Sequence, residues 1–153
     1  MGFSVSGSAA IIFAGLFIAF GMWYSAASNG FERVSDARQD RSEHLLAQQN
    51  SGIAVRNANY STKTANNRTW YLFDLAVRNT GSEGLSLPRT DVLIDNEYRT
   101  GWAANATVDG YPDTGLWLPG EKLFVEFNES TEPGRVKVVA GTGVSDSAEV
   151  TVS

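Results

Sequence analysis

The hydrophobic pattern of the chain changes period once, near residue 50, and that change divides it. Residues 9–27 are apolar or small throughout, and no charged side chain occurs before Glu32. About 20 such residues cross the hydrocarbon core of a bilayer as a helix. From Gly30 to Gln49 the chain reads GFERVSDARQDRSEHLLAQQ, with no proline and one glycine at its start. Phe31, Val34, Arg38, Arg41, Leu45 and Gln48 recur at alternating spacings of three and four, which places them on one helical stripe. Half of that stripe is polar, so it makes a poor coiled-coil seam and reads as a charged stalk continuing the span. A single helix from Phe3 to Gln49 would be about 70 Å long at about 1.5 Å per residue.

After Gln49-Asn50-Ser51-Gly52 the period becomes two. Ser51-Gly52 is the expected hinge and helix stop. Ile53 and Val55 open a strand. In TWYLFDLAVRNTGSE, Tyr71, Phe73, Leu75 and Val77 face one way and Trp70, Leu72, Asp74, Ala76 and Arg78 the other, before an Asn79-Thr80-Gly81 turn. DVLIDNEYRT reads as a short hairpin bending at Asp95-Asn96. Pro119-Gly120 precedes a strand with Leu123, Val125 and Phe127 inward. Val136 and Val138, then Ala148, Val150 and Val152, supply the last strands. About seven short strands and no further helix predict an immunoglobulin-like β-sandwich. The expected fold class is therefore α+β: a long N-terminal transmembrane helix and stalk over 1–51, and an all-β sandwich over 52–153.

Within the span, Ser6, Ala10 and Ala14 lie four apart, as do Gly15 and Ala19, and Gly21 and Ser25. This spacing lets membrane helices approach closely. Ala10, Ala14, Gly15, Ala19 and Gly21 are the candidate anchor and helix-packing positions. A secretory signal peptide needs a basic segment ahead of its apolar core, and no Lys or Arg precedes this one, so a retained anchor is expected.

Composition narrows the function. The formal net charge is -5, and binding of phosphate backbones requires a clustered cationic face, so nucleic acid is not an expected partner. Nine Arg stand against three Lys, a balance suited to high salt. Cysteine is absent and His44 is the one histidine, placed in the stalk. A His-based triad or metal site is thereby disfavoured, and no phosphate-binding glycine motif occurs. Asp109 and Asp113, and Asp91, Asp95 and Glu97, read as turn chemistry rather than a cation site. The expectation is a non-enzyme without cofactor, metal or small-molecule substrate. Asn59, Asn67, Asn105 and Asn128 each begin an Asn-x-Ser/Thr sequon and are candidate N-glycosylation sites. The flank after the span carries Arg33, Arg38 and Arg41 and the flank before it carries no cation, which by charge alone places the domain in the cytoplasm. The sequons point the other way, and an extracytoplasmic domain is the expectation.

MGFSVSGSAAIIFAGLFIAFGMWYSAASNGFERVSDARQD, followed by a β-sandwich, resembles the archaellum accessory proteins of the FlaF/ArlF family from halophilic archaea. The likeness is most specific in GFSVSGSAAIIF and AASNGFERVSDARQD and covers the whole chain in layout. It implies a single-pass protein of the cell membrane whose sandwich lies beneath the S-layer. It further implies that the sandwich binds S-layer protein and, with the sister protein FlaG/ArlG, serves as a stator for the archaellum motor. The layout is also similar to archaellins and type IV pilins, so a filament subunit polymerising through its N-terminal helix is the alternative. Pilin-type subunits are processed after a glycine that follows basic residues. Here Gly2-Phe3 has no Lys or Arg before it, and Gly7 stands where pilins often carry an acid. An uncleaved anchor is expected. Binding is expected on the sandwich surface, with Trp102, Tyr111 and Trp117 as candidate partner residues. The C-terminal SAEVTVS is a candidate free edge through which copies could pair.

Overall fold

The computed structural model describes residues 3–153, with side chains described from Gly7 onward. The expectations that rest on Gly2, and on the side chain of Ser6, lie outside the described residues. The chain forms two compact units: a helical one reaching to Glu43 and a β-rich one from His44 to Ser153.

Helix α1 runs from Phe3 to Asn50 without a break. Its 48 residues correspond to about 72 Å at about 1.5 Å per residue. No proline interrupts it, and its interior glycines are few enough for the apolar and charged segments to share one helix. Its end is local in origin. Ser51 folds back, its N–H donating to Gln48 O and its hydroxyl to Ala47 O at 2.6 Å.

The β-rich unit contains twelve strands: β1 (Ile53–Ala65), β2 (Arg68–Asn79), β3 (Leu85–Ser86), β4 (Asp91–Ile94), β5 (Glu97–Arg99), β6 (Ala106–Val108), β7 (Tyr111–Pro112), β8 (Leu116–Trp117), β9 (Lys122–Glu129), β10 (Arg135–Val139), β11 (Ser145–Glu149) and β12 (Thr151–Val152). This exceeds the expected seven, because β3, β7, β8 and β12 are two residues long and carry no readable alternation. Two short 3-10 helices, Leu87–Arg89 and Trp102–Asn105, correct the expectation of no further helix.

The strands form a six-stranded sheet ordered β12-β1-β2-β9-β6-β7, a four-stranded sheet ordered β11-β10-β4-β5, and a β3-β8 pair. Pairing is antiparallel except between β1 and β12, which run parallel with Asn59 opposite Thr151. The C-terminal segment supplies one edge to each larger sheet, β11 to the four-stranded and β12 to the six-stranded.

Alternation builds the core. Phe73, Leu75 and Val77 of β2 lie opposite Phe127, Val125 and Leu123 of β9. They meet Val92 and Ile94 of β4 and Val136 and Val138 of β10 in one cluster closed by Leu85, Leu87, Trp102 and Trp117. Each large apolar side chain buried there contributes about 1.5–3 kcal/mol. A bulge between Val55 and Asn57 on β1 lets Val55 N–H donate to Asp146 Oδ2 at 2.8 Å.

Candidate functional site

The helical unit offers an apolar surface with nothing to cover it. From Ile11 to Tyr24 the large apolar side chains are 59–76% exposed. Ten such side chains left in water would forgo about 1.5–3 kcal/mol each. The helix is long and apolar enough to cross a membrane. Phe20, Trp23 and Tyr24 cluster toward the end of the apolar run, with ring centroids 5.9 and 6.3 Å from Phe20. Aromatic side chains favour the membrane–water interface. Ala10, Ala14, Gly15, Ala19 and Gly21 sit on this exposed helix, and a side chain added at Gly15 or Gly21 would meet nothing within 4 Å. Phe31, Val34 and Leu45 of the predicted stripe are likewise exposed. In the charged segment Gln39 donates to Glu43 Oε1 at 3.2 Å, one turn on. Among the described residues no ion pair forms on the stalk.

The expected hinge is instead a pinned junction. Gly52 O accepts from both Thr80 N and Gly81 N, and Asn50 O from Ser82 N at 2.8 Å. The loop after β2 thus closes over the end of α1. Asn79, the last residue of β2, is fully buried beside it. Its Nδ2 donates to Glu83 O at 2.8 Å and Trp117 O at 3.0 Å, and its Oδ1 accepts from Gly81 N at 3.0 Å. Its backbone N–H donates to Glu121 O and its carbonyl accepts from Gly120 N. Gly81 is required by space: a Cβ there would lie 2.5 Å from both Asn50 O and Gly52 N. The Asn-Thr-Gly turn is legible in the sequence. Its lock on the helix end is not, because the partners come from three separate segments.

The candidate partner residues separate on burial, and two of the three are corrected. Trp117 is fully buried and Trp102 is 6% exposed. The Trp117 indole N–H donates to Glu121 O at 2.8 Å, which lets the ring close the core without an orphaned donor. Trp102 turns inward on the 3-10 helix that follows the left-handed Gly101. Neither presents a surface to a partner. Tyr111 is 72% exposed on β7 at the rim of the six-stranded sheet.

The larger open surface is the outer face of that sheet, which the sequence reading did not single out. It carries Trp70 and Leu72 of β2 beside Phe124 of β9, with Asp74 directly opposite Glu126. Like charges on facing positions oppose pairing, so this rung does not add to sheet stability. A shallow groove of about 360 Å³ runs between Asn57, Asp74, Asn105 and Phe124. The alternation of β2 and β9 was the available signal. Of the sequon residues, Asn67, Asn105 and Asn128 are exposed, whereas Asn59 is half-buried and its Oδ1 accepts from Thr151 Oγ1 at 2.8 Å.

Two titratable groups depart from ordinary behaviour. Tyr60 donates its hydroxyl to Glu132, and this bond, reinforced by burial and by the Glu132 charge, pushes its pKa up to about 12. Glu129 is buried on β9, and burial raises its carboxyl despite the Arg99 guanidinium 2.8 Å away. Arg99 also reaches Glu97 at 3.2 Å. These groups tie β5 to β9 through Arg99 and Glu129, and β1 to Glu132 through Tyr60. Among the described residues no three His, Asp or Glu side chains gather as a metal site.

A family model described as archaeal-type flagellin matches residues 2–150. No curated protein shows significant sequence similarity to the chain. Among solved structures, the archaellum periplasmic stator protein FlaG from Sulfolobus acidocaldarius is similar at 14% identity, with 64% of this chain and 97% of that chain covered and a TM-score of 0.38. With an uninterrupted apolar helix leading into a β-sheet domain, and a family match over nearly its whole length, this chain belongs to the archaeal-type flagellin family.

Proposed function

We propose that this chain is a non-catalytic, membrane-anchored component of the archaellum whose β-rich unit binds S-layer protein and acts as a stator. One observation carries the reading. A helix with ten exposed large apolar side chains precedes a β-rich unit closed on its own core, whose perturbed groups are paired for structure rather than chemistry. The helix would sit in the cell membrane, with Ala10, Ala14, Gly15, Ala19 and Gly21 facing neighbouring helices, FlaG/ArlG among the candidate partners. The β-rich unit would lie outside, beneath the S-layer. The test is co-sedimentation of the detergent-solubilised full chain with purified S-layer sheets at high salt. Retention in the pellet is expected, and a chain that stays in the supernatant at every salt concentration removes the stator role.

A second reading, a filament subunit assembling through α1, draws on the family match over residues 2–150. It requires processing and polymers. Intact mass of the membrane-extracted protein separates the two: an anchor retains Gly2, whereas a pilin-type subunit begins at Phe3.

A further inference from the structure

We propose that the free end of the β1–β2 hairpin is a recognition arm for an acidic protein surface, with Lys63, Arg68 and Trp70 as its contact residues. The inference rests on the reading of the β-rich unit as a protein-binding module and supplies the chemistry of the partner.

The first observation is shape. The last β2–β9 rung is Tyr71 with Glu129, and the last β1–β12 rung is Tyr60 with Val152. Beyond them Lys63 pairs only with Trp70, Thr64 with Thr69 and Ala65 with Arg68. Both edges of this ribbon are open. Asn66 and Asn67 close it with φ of 51° and 61°, the left-handed pair that a two-residue turn needs and that Asn tolerates. A two-stranded ribbon is marginal without support, yet this one is kept beyond the body of the sheet.

The second observation is charge. From His44 to Phe73 the chain holds Arg56, Lys63 and Arg68 and no acidic residue, whereas from Asp74 to Ser153 six cations stand against thirteen carboxylates. The positive end of a strongly acidic unit is therefore this hairpin. Among the described residues neither Lys63 nor Arg68 has an ion-pair partner.

The third is register. Ser61, Lys63 and Ala65 lie opposite Leu72, Trp70 and Arg68, so Lys63, Arg68 and Trp70 share the outer face of the sheet. Two exposed cations beside a half-buried indole make a compact contact, and Arg and Trp are among the residue types that dominate binding energy. The partner must bring carboxylates. Several of a second copy's carboxylates are engaged within its own fold, so pairing between copies is the lesser source, and oligomeric mass tells it apart. Asp95, Asp109, Glu121 and Asp146 accept from backbone N–H groups, and Glu97 and Glu129 hold Arg99. An anionic membrane is also a poor fit, since surface recognition of lipid takes roughly four to eight clustered cations.

The experiment compares the wild-type full chain in detergent with the Lys63→Glu/Arg68→Glu double variant, the milder Lys63→Gln/Arg68→Gln pair, and a control pair, Arg135→Glu/Lys137→Glu, on β10. Thermal melting of the arm variants should match wild type, because their side chains are exposed and unpaired. The probes are poly-L-glutamate and purified S-layer sheets. Charge reversal should weaken poly-L-glutamate binding roughly tenfold and neutralisation roughly threefold, equivalent to about 1.4 and 0.7 kcal/mol, with the control within twofold. Poly-L-glutamate binding that is absent, or that survives charge reversal unchanged, overturns the arm. If wild type ignores the S-layer but binds poly-L-glutamate through the arm, the stator reading falls and the arm stands. Arm-dependent binding to phosphatidylglycerol vesicles but not to the polypeptide, or an arm-dependent change in oligomeric mass by sedimentation, would also overturn it.

Discussion

Asn79 is the position where one atom-level change tests the junction most directly. Its carboxamide is fully buried and makes three hydrogen bonds, to Glu83 O, Trp117 O and Gly81 N. In Asn79→Ala the Gly81 N–H keeps a partner, since it also points at Gly52 O at 3.1 Å. Trp117 O loses a donor at a buried site, and Glu83 O at a part-buried one that water can reach. An unsatisfied buried polar group costs about 1–3 kcal/mol, so the substitution should destabilise the β-rich unit by about 1–3 kcal/mol. Folded domains hold about 5–15 kcal/mol in total, so this is a large fraction. Asn79→Asp should cost more, because a carboxylate would replace the donating nitrogen against two carbonyl oxygens. Urea unfolding of the full chain in detergent, followed by the fluorescence of the buried Trp102 and Trp117, measures both. A loss below about 1 kcal/mol for alanine, or aspartate milder than alanine at neutral pH, would refute the claim that the amide donors hold this loop.

Crowding at Gly81 and the two perturbed groups, Tyr60 and Glu129, yield three more predictions. Gly81→Ala places a methyl 2.5 Å from two backbone atoms and should cost about 1–3 kcal/mol, whereas Gly115→Ala meets nothing within 4 Å and should be neutral or slightly stabilising in the same melts. One tyrosine should titrate at about 12 by ultraviolet absorbance, and Glu132→Gln should bring it down. Because the fold raises this pKa, Tyr60 contributes stability that is complete below its unfolded value of 10.0 and is lost as the pH climbs toward 12. Glu129 follows the same sign in acid: its raised pKa adds stability that is complete below the ordinary 4.5 and is lost as the pH rises through the folded value. Glu129→Gln should therefore gain on wild type as the pH rises toward neutrality, and a constant difference across that range would exclude the burial effect.

The sequence alone determined what depends on local pattern. A long apolar run with no proline favours a helix whose side chains avoid water, so the apolar helix and its continuation through the charged segment to Asn50 were readable. Alternation assigned the inward face of β2 and β9, and Asp95-Asn96 and Pro119-Gly120 marked turns that the strands respect. Tertiary structure decided what depends on distant segments. Trp102 and Trp117 are large, amphipathic and flanked by turns, so their local pattern fits either surface or core. Only the meeting of the two sheets, with Glu121 O placed to accept the Trp117 indole proton, made them core. Ser51-Gly52 looked like a flexible link because Ser and Gly are permissive, and it became a fixed one because Thr80, Gly81 and Ser82 return to it from the far end of β2. The positive arm lay between these cases. Its missing acids were visible in the sequence, but their meaning required the register in which β9 and β12 stop and the hairpin continues alone, since charge becomes a surface only when the fold leaves it uncovered.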